Sequence, residues 1–395
     1  MTANFAWTYG IEEEFFLVDA TTGALARRVP AAFRTACRTV PGQAIHEELL
    51  APQVEISTPI LTQTAQARTL LPGLRRQLAT LAGQHGLALL AAGSHPQGGW
   101  RQQRPTDLPR YRSLTDEFQI VSRRSCLSAL HVHVAVPTRI DRVQLMNRLL
   151  PWLPMFLALS ASSPFWEGES TGLHSYRQSA YDEWPRSGLP DAFDSEVEYD
   201  TFIALLQRSG ALRDGSELWW NIRPSSRFPT LELRICDACT EVEDTLALAA
   251  AFRCLVRAYC RDPELGASPS NLTRRLVDEN RWRAKRHGTA AAFIDLRSGQ
   301  SHGLSTWLRL LGTLVDADAR ALGCQAELLR LRMIAAAGNS ADRQLRLYRN
   351  TRAAGLTHRA ALKRVVRWLL ERTMAAPRTE RAALLHGNVS TAWNA

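Results

Sequence analysis

From Thr8 to Val18 apolar and aromatic residues alternate with acids, the period of a half-buried strand. Ile11, Glu13 and Phe15 fall on one face of that strand and Glu12 and Glu14 on the other. Adjacent carboxylates repel one another and resist burial, so the face shared by Glu12 and Glu14 calls for a cationic partner. The same alternation recurs three times. In HEELLAPQVEIST, Glu55 and Ser57 oppose Val54 and Ile56, with Glu47 and Glu48 just upstream. In CLSALHVHVAVP, His131 and His133 alternate with Val132, Val134 and Val136, and in FPTLELRICD, Glu232 and Arg234 oppose Leu231, Leu233 and Ile235.

Elsewhere the pattern predicts a helix from about Gln63 to Gly83, a strand over LALLAAGS ending at Ser94 and His95, and a helix over Tyr111–Ser125. Arg142–Ser160 is apolar almost all round and reads as one buried helix. The stretch Ser162–Arg186, rich in Pro, Gly, Ser and aromatics, reads as a loop of the kind that carries binding residues. Trp219–Arg223 and Pro229–Cys236 are strand-like, and from Thr240 the periodicity is mostly helical. Four strands with one polar face each predict an α+β fold: an antiparallel sheet with a concave polar face, helices on its other face, and a helical C-terminal part. No linker or repeat divides the 395 residues, so a single catalytic domain over 1–395 is expected, with the sheet in about 8–240 and helices over about 241–375. RVVRWLLERTMAA in the tail reads as an amphipathic helix for core or homodimer packing.

The net charge of +10 raises the question of nucleic acid, but only Lys285 and Lys363 are lysines, acids are interspersed, and no nucleic-acid fingerprint appears. The missing lysines also exclude a phosphate-binding GxxxxGK[ST] loop. Seven cysteines, an odd number, suit a reducing cytoplasm, and the lone Cys236/Cys239 pair reads as small buried residues. No segment is apolar for the length of a membrane span.

A cavity lined by many carboxylates and two histidines collects hard divalent cations, Mg²⁺ or Mn²⁺. The excess of acids suggests two or three ions shared with a nucleotide triphosphate rather than a structural metal. Arg177 and Arg186 flank the aromatic loop as candidates for a carboxylate clamp, while Tyr111, Arg112, Arg281 and Arg283 are candidate phosphate or adenine contacts. His95, His174 and His287 read as surface loop groups. A glycosidase-like hydrolase needs only two carboxylates and leaves the histidines and the Glu232/Arg234 strand unexplained; an inactive nucleotide- or metabolite-binding protein stays open.

GIEEEF, ELLAPQVEIST, HVHV, SSPFWEGESTGLHSYR with PRSGLP, WWNIRPSSRFPTLELRICDACTEVEDT, ENRWRAKRHG and, further on, ADRQL occur in this order. Together they resemble the bacterial carboxylate–amine ligases of the glutamate–cysteine ligase type 2 family, which is similar to glutamine synthetase in its catalytic sheet. The resemblance implies ATP as co-substrate, Mg²⁺ or Mn²⁺ as cofactor, glutamate or a similar carboxylate and an amine such as cysteine as substrates, and amide formation through an acyl phosphate, with glutamate–cysteine ligation itself weak or uncertain. It implies metal-ligand roles for Glu12, Glu14, Glu48, Glu55, His131 and Glu232, a catalytic role for Arg234 on the transferred phosphate, and a substrate or phosphate contact for His133. Between Glu47 and Glu48 the residues disagree with it: counting along one strand from Glu55 favours Glu47, unless Pro52 resets the parity.

Overall fold

The computed structural model describes residues 5–266 and 270–376. Its main sheet has seven strands: β1 (Tyr9–Asp19), β2 (Ile45–Glu47), β3 (Gln53–Ser57), β4 (Leu87–Leu90), β5 (Leu130–Ala135), β6 (Ile222–Pro224) and β7 (Thr230–Leu233). The order is β6-β7-β5-β1-β3-β2, with β4 pairing the far half of β1. Every pairing in it is antiparallel. The expected α+β architecture is therefore present, with β1 at its centre.

The reason lies in the alternation itself. Ile11, Phe15, Leu17, Val54, Ile56, Leu130, Val132, Val134, Leu231 and Leu233 are all buried on one side of the sheet. Helix Val242–Arg261 packs against β5 there and helix Thr64–Gly83 against β4, whereas helix His358–Thr373 meets β4 from the other face, where Leu362, Val365 and Leu369 join Phe16, Val18 and Leu90 in a second core. The first of these helices carries an alanine-rich, almost wholly buried sequence that lets backbones approach closely. Helices Leu304–Leu322 and Gln325–Ala337 pack on its outer side and extend the same core to Ile334.

A buried carboxylate, Glu13, lies on this covered side. Glu13, 2% exposed, takes two bonds from the Arg75 guanidinium, through Nε at 2.9 Å and through Nη2, and accepts a further hydrogen bond from Thr245 Oγ1. Arg75 also donates to the carbonyls of Thr240, Cys239 and Thr373.

Several expected boundaries move. Arg142–Ser160 is not one helix: Arg142–Leu149 and Leu153–Ser160 are separated by a 3₁₀ turn at Leu150–Trp152, because Pro151 and Pro154 lack the N–H that a continuous helix needs. β4 stops at Leu90 because the next backbone donors turn to side chains, Ala91 N to Thr373 Oγ1 and Gly93 N to Ser162 Oγ. Unexpected elements include helices Ala31–Arg38 and Glu196–Arg208, strand β2, and a short helix Tyr176–Tyr181 inside the aromatic loop. Among the described residues no helix is long and apolar enough to cross a membrane.

Candidate active site

The register of the sheet places the polar side chains in neighbouring rows. Glu12 stands between His131 on β5 and Ser57 on β3, and Glu14 opposite Glu55. His133 stands opposite Glu232, and Glu232 opposite Arg223 on β6. His46 on β2 stands opposite Glu55. Above these rows lies a cavity of about 1190 Å³, larger than the ~300–1,000 Å³ usual for one small ligand and so suited to several. Gly10, opposite His133, lies on its floor, where a Cβ would have no atom within 4 Å.

Three overlapping groups of potential ligand atoms occupy this face: Glu14, Glu48 and Glu55; Glu12, Glu55 and His131; Glu12, His133 and Glu232. Glu12 reaches His131 Nδ1 at 3.4 Å and His133 Nε2 at 3.5 Å, while His133 Nε2 also approaches Glu232 at 3.8 Å. Glu232 is held on both oxygens, by Arg223 Nε at 2.7 Å and by Arg234 Nη1. A carboxylate oxygen has two acceptor directions, so each keeps one for another partner.

The electrostatics of the face are unequal. Burial and the Glu14 and Glu12 charges push the Glu48 carboxyl up to about 8, and burial with the Glu12, Glu48 and Glu14 charges pushes the Glu55 carboxyl well above its ordinary range, Arg110 and Arg234 opposing only in part. At the other end, burial opposes ionisation of Glu232 but Arg223 and Arg234 overcome it and hold the carboxyl well below that range. For Glu12, burial is likewise overcome by His131 and His133, which lower it. His131 is lowered by burial and by Arg234, whereas His133, buried too, is raised by Glu12 and Glu232.

A stability prediction follows from those directions. An acid whose folded-state value is raised stabilises the fold below its unfolded value, and that contribution disappears as pH rises through the folded value. Glu48 and Glu55, joined by His133, make the protein in EDTA less stable between pH 6.5 and 8. His131 and His46, both lowered, act in the opposite sense, but mainly below pH 6.5. A divalent cation replaces the missing protons, so thermal melting from pH 6.5 to 8 is expected to lose several degrees in EDTA and much less in millimolar Mg²⁺ or Mn²⁺. Asp237 and Asp244, raised by burial elsewhere, are blind to the ion. Equal slopes with and without metal would therefore remove Glu48 and Glu55 from any cation site.

A model of Glutamate-cysteine ligase family 2 (GCS2) matches residues 8–367, which spans the sheet, the aromatic loop and the C-terminal helices. The chain belongs to that family. "Putative glutamate--cysteine ligase 2" of Ectopseudomonas mendocina is 47% identical over 382 residues, 94% of this chain and 98% of the relative. A Rhodospirillum rubrum protein of the same description is 41% identical over 374 residues, covering 94% and 96%. Among solved structures, glutamate–cysteine ligase from Francisella tularensis in complex with AMP superposes with a TM-score of 0.67 at 11% identity, covering 97% of this chain and 95% of that one. A bifunctional glutathione synthetase from Pasteurella multocida superposes with a TM-score of 0.62 at 16% identity, covering 93% of this chain and 52% of that one. At these identities the two structures speak to the fold alone.

In this member of glutamate-cysteine ligase family 2, the residues expected at the site fall unequally. Glu12, Glu14, Glu48, Glu55, His131, His133, Glu232, Arg234, Arg177 and Tyr111 all line the cavity. Glu48 rather than Glu47 faces Glu14 and Glu55, since Glu47 is bound by Arg34 and Arg38. The count along a single strand failed because β2 and β3 form a hairpin: pairing His46 with Glu55 puts Glu48, two residues on, on the same face. Arg283 is not among the lining residues. It pairs with Glu279 one turn back at 2.9 Å and donates to Ala292 O and Ser301 Oγ of a neighbouring hairpin.

Two histidines read as surface groups are tied inside instead. Burial pushes His95 down to about 4, against the opposing hydrogen bond between its Nε2 and Gly23 O at 2.9 Å, and His174 joins Asp342 of the ADRQL stretch at 3.0 Å. Asp237, fully buried, accepts from Ser162 N, Ser163 Oγ and Ser175 Oγ and so fixes the loop that carries Arg177. Arg177 itself is 2% exposed, yet its contacts are long: 3.4 Å to Ile235 O, 3.5 Å to Arg234 O and 3.9 Å to Asp237. Sequence reading missed Arg223. It also lines the cavity, and its signal was the hairpin pairing that sets it across from Glu232.

Proposed function

We propose that this chain uses ATP to join a carboxylate, glutamate or one like it, to an amine. The observation that carries the reading is the trio of overlapping carboxylate groups on one sheet face, two of them with an imidazole, flanked by Arg223 and Arg234, in a cavity large enough for more than one substrate. The donor set fits two or three Mg²⁺ or Mn²⁺ ions, being hard oxygens with imidazole, and the crowding of buried acids that raises Glu48 and Glu55 is what a cation among them would relieve. Glu14, Glu48 and Glu55 would hold one ion, and Glu12 with His131, His133 and Glu232 the rest. Such ions, when bound, screen the triphosphate so that a second anion can approach it.

The rest of the chemistry rests on the chain's own side chains. Arg177, buried and loosely paired, is free to form close charge-assisted bonds to the substrate carboxylate that does not react. The reacting carboxylate oxygen attacks the γ-phosphorus and ADP leaves, giving an acyl phosphate. The amine nitrogen then attacks the acyl carbon, inorganic phosphate departs, and the nitrogen gives up one proton to solvent. Arg234, held by Glu232 and by Tyr181 Oη at 3.3 Å, presents its remaining donors where charge develops on the transferred phosphoryl group. Seven free cysteines and the proposed use of ATP support a cytoplasmic location.

The test is ADP formation with purified protein, ATP, Mg²⁺ and glutamate over a panel of amines, with product masses. An amide of the expected mass supports the reading, and ATP consumption independent of any amine, or none at all, sinks it. Arg234→Lys is expected to lower kcat roughly ten- to hundredfold with little change in KM for ATP, because lysine keeps the charge and loses the planar fork. Full rescue by added Mg²⁺ would reduce Arg234 to orienting Glu232.

A further inference from the structure

Arg177 and Arg234, the two guanidinium groups that the ligase reading puts to work on substrate, are linked by one side chain. Tyr181 lies four residues after Arg177, one turn on, at the end of the short helix Tyr176–Tyr181, and lines the cavity with both arginines. The Arg177 guanidinium lies over its ring, 5.3 Å from the centroid and within the reach of a cation–π contact. Its hydroxyl oxygen accepts from Arg234 Nη2 at 3.3 Å. The helix that presents Tyr181 is itself pinned: Gln178, fully buried, donates to Ile235 O at 2.7 Å and accepts from Asn221 Nδ2 at 3.0 Å.

These two contacts matter because neither arginine is otherwise fully fixed. Arg234 has Nη1 on Glu232, Nη2 on Tyr181 and a buried Nε without a partner. A planar fork held at two points has a set plane; held at one, it swings about that bond. Arg177 has only its long contacts to the carbonyls of Ile235 and Arg234 and to Asp237. Side by side, the two cations repel each other. Tyr181 turns the negative face of its ring to one and an oxygen lone pair to the other. A carboxylate in that position would neutralise both arginines towards a substrate, whereas a neutral phenol orients them and leaves their charge available.

We infer that Tyr181 is a positioning residue for both arginines, setting the plane of Arg234 towards the transferred phosphoryl group through its hydroxyl and the seat of Arg177 on the carboxylate substrate through its ring. The inference rests on the roles given to those arginines by the ligase reading.

The experiment measures kcat, KM for glutamate and KM for ATP, from ADP and amide formation with Mg²⁺ and an amine that the panel shows to be competent, in Tyr181→Phe, Tyr181→Leu and the double variant Tyr181→Phe with Arg234→Lys. Tyr181→Phe keeps the ring and loses the hydroxyl. Its kcat is expected to fall roughly three- to tenfold, short of the full worth of a hydrogen bond to a charged group because 3.3 Å is long, with both KM values unchanged. Tyr181→Leu removes the ring face as well, and KM for glutamate is expected to rise roughly three- to tenfold while KM for ATP stays put. In the double variant the two losses in kcat should overlap rather than multiply, since the hydroxyl acts through Arg234. Thermal melting accompanies each assay, because a residue that only packs would lower the melting temperature and move every constant together. That pattern overturns the inference and leaves the ligase reading standing, as does a wild-type kcat in Tyr181→Phe, full multiplication of losses in the double variant, or an unchanged KM for glutamate in Tyr181→Leu. Wild-type protein that forms no amide removes both.

Discussion

Glu12→Gln is expected to lower kcat by roughly 10²–10³, the usual effect of removing one charge-stabilising group from a preorganised site. Glu12 is the residue to choose because it belongs to two of the three ligand groups and touches both histidines. Glutamine keeps the length and one oxygen while removing the charge, so the fold should survive. The loss should persist at saturating Mg²⁺, since an amide oxygen is a poor substitute for a carboxylate shared between ions. Initial rates of ADP and amide formation over a Mg²⁺ titration decide the matter. A variant reaching near-wild-type kcat at any Mg²⁺ concentration would take Glu12 out of the metal site.

Its neighbour should behave in the opposite way. Glu13→Gln is expected to cost about 3–5 kcal/mol of stability, the penalty for leaving a buried charge without its partner. Arg75, 3% exposed, would keep its bonds to three carbonyls and lose the carboxylate it pairs with. Thr245 would lose a charged acceptor as well. Urea unfolding measures the effect directly. Whatever protein remains folded should keep its KM values, because Glu13 faces the helices and not the cavity. A change in midpoint corresponding to less than about 1 kcal/mol would mean that water or a rearranged Arg75 replaces the missing charge.

Glu12 and Glu13 also mark what could be read in advance. Strand parity separated them correctly, and the same period-two pattern located His131, His133, Glu232 and Arg234 on one face, because a side chain's face is a local property of the backbone. Parity carries no information across a turn, which is why Glu47 and Glu48 could not be told apart until β2 and β3 were paired. Arg75 as the partner of Glu13 was illegible for a different reason: the two are 62 positions apart and meet only when the helix docks on the sheet. Arg223 was hidden by the brevity of β6, three residues with one charge. Some signals were present and passed over. Ser195 caps the helix Glu196–Arg208 by accepting from Glu198 N, a Ser-x-x-Glu signature visible in the sequence, and the two prolines that divide Arg142–Ser160 are equally plain. The family motifs conveyed which face matters; they did not convey Asp237, whose role depends on three hydroxyl or amide donors converging from two loops.

The sharing of Glu12 and Glu55 among ligand groups has a thermodynamic corollary. Ions held through common carboxylates are linked: whatever one does to the affinity of the next, the next does to it by the same factor. No single dissociation constant then describes metal binding, and a concentration that fills the tightest position need not support turnover. Chelators would likewise strip the protein in stages, with partly loaded species that bind metal yet remain silent. Activity would therefore follow the metal supply as a joint occupancy, falling away more steeply than the bound ion itself.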